Sequence, residues 1–136
     1  MKTLSIPLIA ACVLSLTACA TPGDAASTSS ADSEPRFMSA LHACDLITTS
    51  DGVEYADDGA TLILSTVGKE NFTGLDWTNV ECVLDDLDVS AATKNLIGET
   101  RALDGREDDD WDGIKASWTY HPDAGLNITL QDKRRD

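Results

Sequence analysis

Apolar and polar residues alternate twice near the C-terminal end of the chain. Ile114, Ala116, Trp118 and Tyr120 fall between Lys115, Ser117, Thr119 and His121, and Leu126, Ile128 and Leu130 fall between Asn127, Thr129 and Gln131. Such a period of two marks strands with one buried face. Pairing Tyr120 with Leu126 and Trp118 with Ile128 brings every apolar residue to one side. Pro122 and Asp123 suit a type I turn in the loop between them, and Gly125 is free to take a positive φ. A second hairpin is predicted around Asp58-Gly59, a pair suited to a type I′ turn. In that register Tyr55 faces Leu62 and Val53 faces Leu64.

Helical spacing governs the segments between. Phe37, Ala40, Leu41 and Cys44 follow Pro35 at helical intervals and predict a helix over about residues 36–46. Val80, Val83, Leu84 and Leu87 form an i, i+3, i+4, i+7 stripe, with Thr78 and Glu81 placed as a capping box ahead of it. Ser90 then reads as the N-cap of a further helix that carries Ala91, Ala92, Leu96 and Ile97 and ends near Gly98. Together these elements predict an α+β fold. A small antiparallel sheet of hairpins is covered on one face by two or three short helices.

The stretch "REDDDWDGI" allows two registers against the strand that follows. If Asp112-Gly113 is a two-residue turn, Glu107 and Asp109 lie opposite Trp118 and Ala116 on the buried face, which is costly for unpaired charges. If Asp109 to Asp112 form a longer loop, Leu103 and Gly105 take those places instead. The longer loop is the cheaper expectation. Asp108, Asp110, Asp112 and Gly113 also match the first half of a calcium loop. A full EF-hand would require a glutamate where Thr119 stands and an exiting helix where Pro122 and Gly125 stand. A looser calcium loop of Asp108, Asp110 and Asp112 stays open as an alternative function.

The N-terminal end has a different character. Lys2 precedes an apolar run from Leu4 to Leu16, which closes in Leu16-Thr17-Ala18-Cys19. A charged start, a short apolar segment and small residues before a break describe an export signal, too short to span a bilayer. "LTAC" resembles the lipobox of bacterial lipoproteins. The resemblance implies diacylglycerol on the Cys19 thiol, cleavage before Cys19, and a chain held on the extracytoplasmic face of the cell membrane by its lipid. Residues 1–18 are thus the expected signal peptide. Residues 19–35, rich in Ala, Ser, Thr and Asp, form the expected tether, because so few apolar side chains cannot drive folding. Residues 36–136 are the expected single domain.

Charge narrows the classes of partner. The chain has 10 basic and 24 acidic residues, a formal net charge of −14. Such a balance disfavours nucleic acid and anionic lipid and favours a cationic protein partner or a divalent cation. With Cys12 in the signal and Cys19 lipidated, Cys44 and Cys82 are left. In an exported compartment they are expected to pair, and closing a loop of about 38 residues stabilises by about 4 kcal/mol.

No catalytic constellation emerges. The two histidines are His42 and His121, of which His121 lies near Asp123 in a turn, and no thiol nucleophile or Gly-rich phosphate loop is present. No cofactor motif is found, and zinc lacks a ligand set. Trp77, Trp111, Trp118 and Tyr120 make a candidate recognition patch. Trp118 and Tyr120 fall on the core-facing side, whereas Trp111 either anchors an interface from the acidic stretch or packs back over the sheet edge.

Beyond the lipobox, "CVLDDLDV", "TRALDG" and "WDGIKASWTYHPDAGL" resemble a group of small exported proteins of high-GC Gram-positive bacteria. The likeness implies location and build but carries over no catalytic residue. The expected function is a membrane-anchored envelope lipoprotein acting as a non-catalytic binding or structural module.

Overall fold

The computed structural model describes residues 34–135. The signal peptide, Cys19 and most of the expected tether lie outside them. Among the described residues no helix is long and apolar enough to cross a membrane.

Among the described residues three α-helices and five strands follow one another. Helix α1 spans Arg36–Ala43, and strands β1 (Val53–Ala56) and β2 (Thr61–Ser65) form the first hairpin. Helices α2 (Trp77–Asp86) and α3 (Ala91–Glu99) precede β3 (Glu107–Trp111), β4 (Ile114–His121) and β5 (Gly125–Asp132). The strands make one antiparallel sheet in the order β1-β2-β5-β4-β3, so β5 returns to the centre and β1 and β3 are the edges.

Both alternating patterns are realised in the expected register. Val53 pairs with Leu64 and Tyr55 with Leu62. Asp58 and Gly59 both adopt positive φ, and the Ala60 amide closes the turn on the Asp57 carbonyl at 2.9 Å. Trp118 pairs with Ile128 and Tyr120 with Leu126, and Gly125 has φ +86°. Glycine is required at this last position for a second reason. A Cβ there would stand 2.5 Å from the carbonyl oxygens of Thr66 and Val67, where the 66–75 loop crosses the β4–β5 turn.

The inward residues of the sheet meet Phe37, Ala40 and Leu41 of α1 and Val80, Val83 and Leu84 of α2 in one apolar core. Cys44 and Cys82 are joined by a disulfide, with Cα atoms 5.9 Å apart, which ties the end of α1 to α2. Both helices end in a Schellman motif, but an aspartate takes the place usual for glycine. The Leu46 amide bonds Leu41 O across Asp45 (φ 56°), and the Val89 amide bonds Leu84 O across Asp88 (φ 57°).

Three expectations need correction. Helix α2 begins at Trp77, with Asp76 at its N-cap and no side-chain cap bond, so Thr78 and Glu81 lie inside the helix and form no capping box. Helix α3 keeps Ser90 as its N-cap, Oγ accepting from the Thr93 amide at 3.1 Å. Its inward face, however, is Thr93 and Ile97, while Ala91, Ala92 and Leu96 are exposed.

The third correction concerns the acidic stretch. The longer loop from Asp109 to Asp112 is not formed. Asp112-Gly113 is a two-residue turn with φ of 41° and 76°, Glu107 stands opposite Trp118, and Asp109 stands opposite Ala116. Leu103, expected opposite Trp118, is 96% exposed. The cost that argued against this register is offset by hydroxyl partners on α3 and the residue after it. Thr93 Oγ1 donates to Asp109 Oδ2 at 2.6 Å, and Thr100 Oγ1 lies 2.8 Å from Glu107 Oε2.

Candidate functional site

The residues singled out for metal are dispersed by that register. Asp108 and Asp110 are exposed, on the opposite face of β3 from Glu107 and Asp109, and Asp110 sits across from Lys115. Asp112 lies in the turn, where Oδ2 is ion-paired with Arg36 and approached by Arg134 Nη1 at 3.8 Å. Among the described residues no three His, Cys, Asp or Glu side chains are grouped as ligands to one ion would be. The loose calcium loop of Asp108, Asp110 and Asp112 is therefore not assembled, because the segment is a ladder strand and not a loop.

Trp111 lies back against the sheet edge. Its ring is half-buried beside the core, and Nε1 donates to the Leu87 carbonyl at 2.9 Å. This bond occupies a carbonyl that the end of α2 leaves without an intrahelical partner. His121 turns to its own loop, Nδ1 accepting from the Asp123 amide at 3.2 Å.

Two of the four candidate aromatic residues meet elsewhere. An open groove of about 950 Å³ runs between the start of α2, the length of α3, the 66–75 loop and the adjoining ends of β4 and β5. Trp77 and Tyr120 line it, each 37% exposed, together with Val67 at 43%. The local sequence explains how the indole is presented. Trp77 is the first residue of α2, and its ring lies over Gly98 of α3. A Cβ added at Gly98 would stand 3.7 Å from the indole, an ordinary van der Waals contact, so the ring packs on α3 without requiring glycine there. The 66–75 loop is held against the β4–β5 turn by three backbone bonds, from the Lys69, Glu70 and Asn71 amides to the carbonyls of Pro122 and Asp123. Phe72, at its outer part, is 84% exposed.

The groove also carries charge. Lys94 and Arg101 line it, but each is matched by an acid outside the lining, Lys94 by Asp85 and Arg101 by Asp104 at 3.0 Å. The side-chain bond from Arg101, joined by one from its amide, holds the Asp104 carboxyl below the usual aspartate value. Glu81 and Glu99 line the groove as well, and neither has an ion-pair partner among the described residues.

The sequence marks Trp77 and Tyr120 as aromatic candidates but not their meeting, which depends on the packing of α3. Glu81 is read from the sequence as a capping residue off the apolar stripe, and no sequence signal marks Glu99. No family model, no curated protein and no solved structure matches this chain.

Proposed function

We propose that this chain is a lipid-anchored module of the cell envelope that binds a protein partner without catalysing a reaction. The observation that carries the binding reading is the groove itself. Monomeric proteins seldom leave large aromatic rings half-exposed in a concave site unless something covers them, and tryptophan and tyrosine are favoured interface anchors. Trp77, Tyr120 and Val67 share such a site, and no histidine or thiol is among the residues that line it. The anchor rests on Leu16-Thr17-Ala18-Cys19 alone. The net charge of −14 favours a cationic partner, because long-range attraction speeds encounter with the opposite sign.

Both halves of the proposal are open to test. A photo-crosslinking residue replacing Tyr120 in the full chain, expressed in cells, is expected to give an envelope adduct. The same residue at Gln131, on the uncovered sheet face, is expected to give none, and Trp77→Ala is expected to abolish the Tyr120 adduct. Equal adducts from both positions overturn the groove as the binding surface. Incorporation of labelled palmitate is expected to vanish in Cys19→Ala, and persistence of the label overturns the anchor.

A further inference from the structure

We infer that the groove receives an extended segment of the partner that bears lysine or arginine, with its cations matched by Glu81 and Glu99 and its aliphatic stems laid on Trp77 and Tyr120. The inference rests on the binding reading above and names the chemistry of the same site.

Charge decides the class of occupant. Four charged side chains line the groove, two of each sign, which alone would favour neither an acidic nor a basic ligand. The two positive charges are, however, already matched. Lys94 is paired with Asp85 and Arg101 with Asp104, and neither aspartate belongs to the lining. Among the described residues Glu81 and Glu99 have no such match, so the groove presents two uncompensated carboxylates beside two aromatic side chains. An acidic segment would have to displace Asp85 or Asp104 to find a cation. A neutral apolar segment would cover Trp77 and Tyr120 but bring nothing to the carboxylates. A lysine or arginine side chain satisfies both, because its methylene stem packs on a ring while its head is drawn to the ring face and to a carboxylate. The acids of β3 are a poorer rival. Glu107 and Asp109 already accept bonds from Thr100 and Thr93, Asp112 in the adjoining turn is paired with Arg36, and Asp108 and Asp110 border a hollow lined by Lys115 and Lys133 and by no aromatic ring.

The test uses the full chain and an acetylated, amidated octapeptide that alternates lysine with alanine, titrated by tryptophan fluorescence. Matched peptides with glutamate or serine in place of lysine serve as references. Saturable binding of the lysine peptide is expected, at least about tenfold tighter than the glutamate peptide. The paired substitution Glu81→Gln, Glu99→Gln is expected to weaken it about tenfold. Asp108→Asn with Asp110→Asn, which removes the same charge from β3, is expected to weaken it less than about threefold. All four positions are exposed, and equal urea midpoints verify folding. Absence of saturable lysine-peptide binding overturns the inference. Equal weakening by the two double variants also does, since the attraction would then belong to the general acidic field. If the Tyr120 adduct persists while the lysine peptide fails to bind, the groove reading stands and the basic segment falls. Loss of both defeats both.

Discussion

The indole N–H of Trp118 donates to the hydroxyl of Thr100 at 2.8 Å, inside the protein and eighteen residues away in sequence. The same hydroxyl lies 2.8 Å from Glu107 Oε2 and 2.8 Å from the Leu96 carbonyl. Having one proton, it donates to one of them at a time, and the charged acceptor makes the stronger bond. The residue just beyond α3 therefore links the buried face of β4 to the acidic edge strand β3.

Thr100→Val keeps the shape and removes that link. It leaves the Trp118 indole without its acceptor and Glu107 without its donor, at an expected loss of about 1–3 kcal/mol. The urea midpoint is expected to fall with an unchanged slope. Thr100→Ser, which keeps the hydroxyl, is expected to recover most of the loss. Equal midpoints for valine and threonine would show that the bonds contribute nothing net.

The Cys44–Cys82 bridge spans 38 residues of sequence. Replacing both cysteines with alanine is expected to lower stability by about 4 kcal/mol, by relaxing the constraint on the unfolded chain. Thermal melts of the double variant, compared with the oxidised protein, check this value. Reductant is expected to lower the midpoint of the wild type and leave that of the double variant unmoved.

Asp88 ends α2 in a left-handed conformation that costs an L-residue more than glycine. Asp88→Gly is expected to raise stability by about 0.5 kcal/mol, while Asp88→Val, β-branched at the same φ, is expected to lower it by more than about 1 kcal/mol. Chemical denaturation of the pair reads both signs.

The Tyr55 hydroxyl is buried without a hydrogen-bond partner among the described residues, in the space that a side chain at Gly59 would fill. Burial pushes its pKa above the ordinary tyrosine value, with Arg135 partly offsetting and Glu34 adding to the shift. A raised folded pKa means that the unfolded chain gives up its proton first. The stabilisation is full below the unfolded pKa and is lost as pH climbs through the folded one. Stability is therefore expected to decline above about pH 10. Tyr55→Phe is expected to leave stability at neutral pH unchanged or up to about 1 kcal/mol higher, and to flatten the alkaline decline. An alkaline profile that matches the wild type would assign the decline to another group.

Much of this architecture is legible in the sequence where one physical rule decides it. The registers of β1–β2 and β4–β5 follow from apolar alternation combined with turn residues that tolerate positive φ, and α1 and α2 follow from their apolar stripes. The β3 register is not legible by the same rule. Apolar patterning treats Glu107 and Asp109 as charges to be kept out. Their partners, Thr93 on the inward side of α3 and Thr100 just beyond its end, are polar residues that no hydrophobic stripe records. The groove is legible only in part, because Trp77 and Tyr120 stand out as aromatic residues while their place in one groove depends on how α3 packs between α2 and the sheet.

Among the described residues strand β3 leaves one edge of the sheet unpaired, bordered by the exposed carboxylates of Asp108 and Asp110. A second copy approaching that edge would bring the same two acids, so strand addition between like molecules is opposed by charge. If a lipid at Cys19 confines the chain to a surface, copies meet at high lateral density, where edge-to-edge pairing is most dangerous. The acidic hairpin then acts as a bumper, keeping neighbouring molecules separate while they share one membrane.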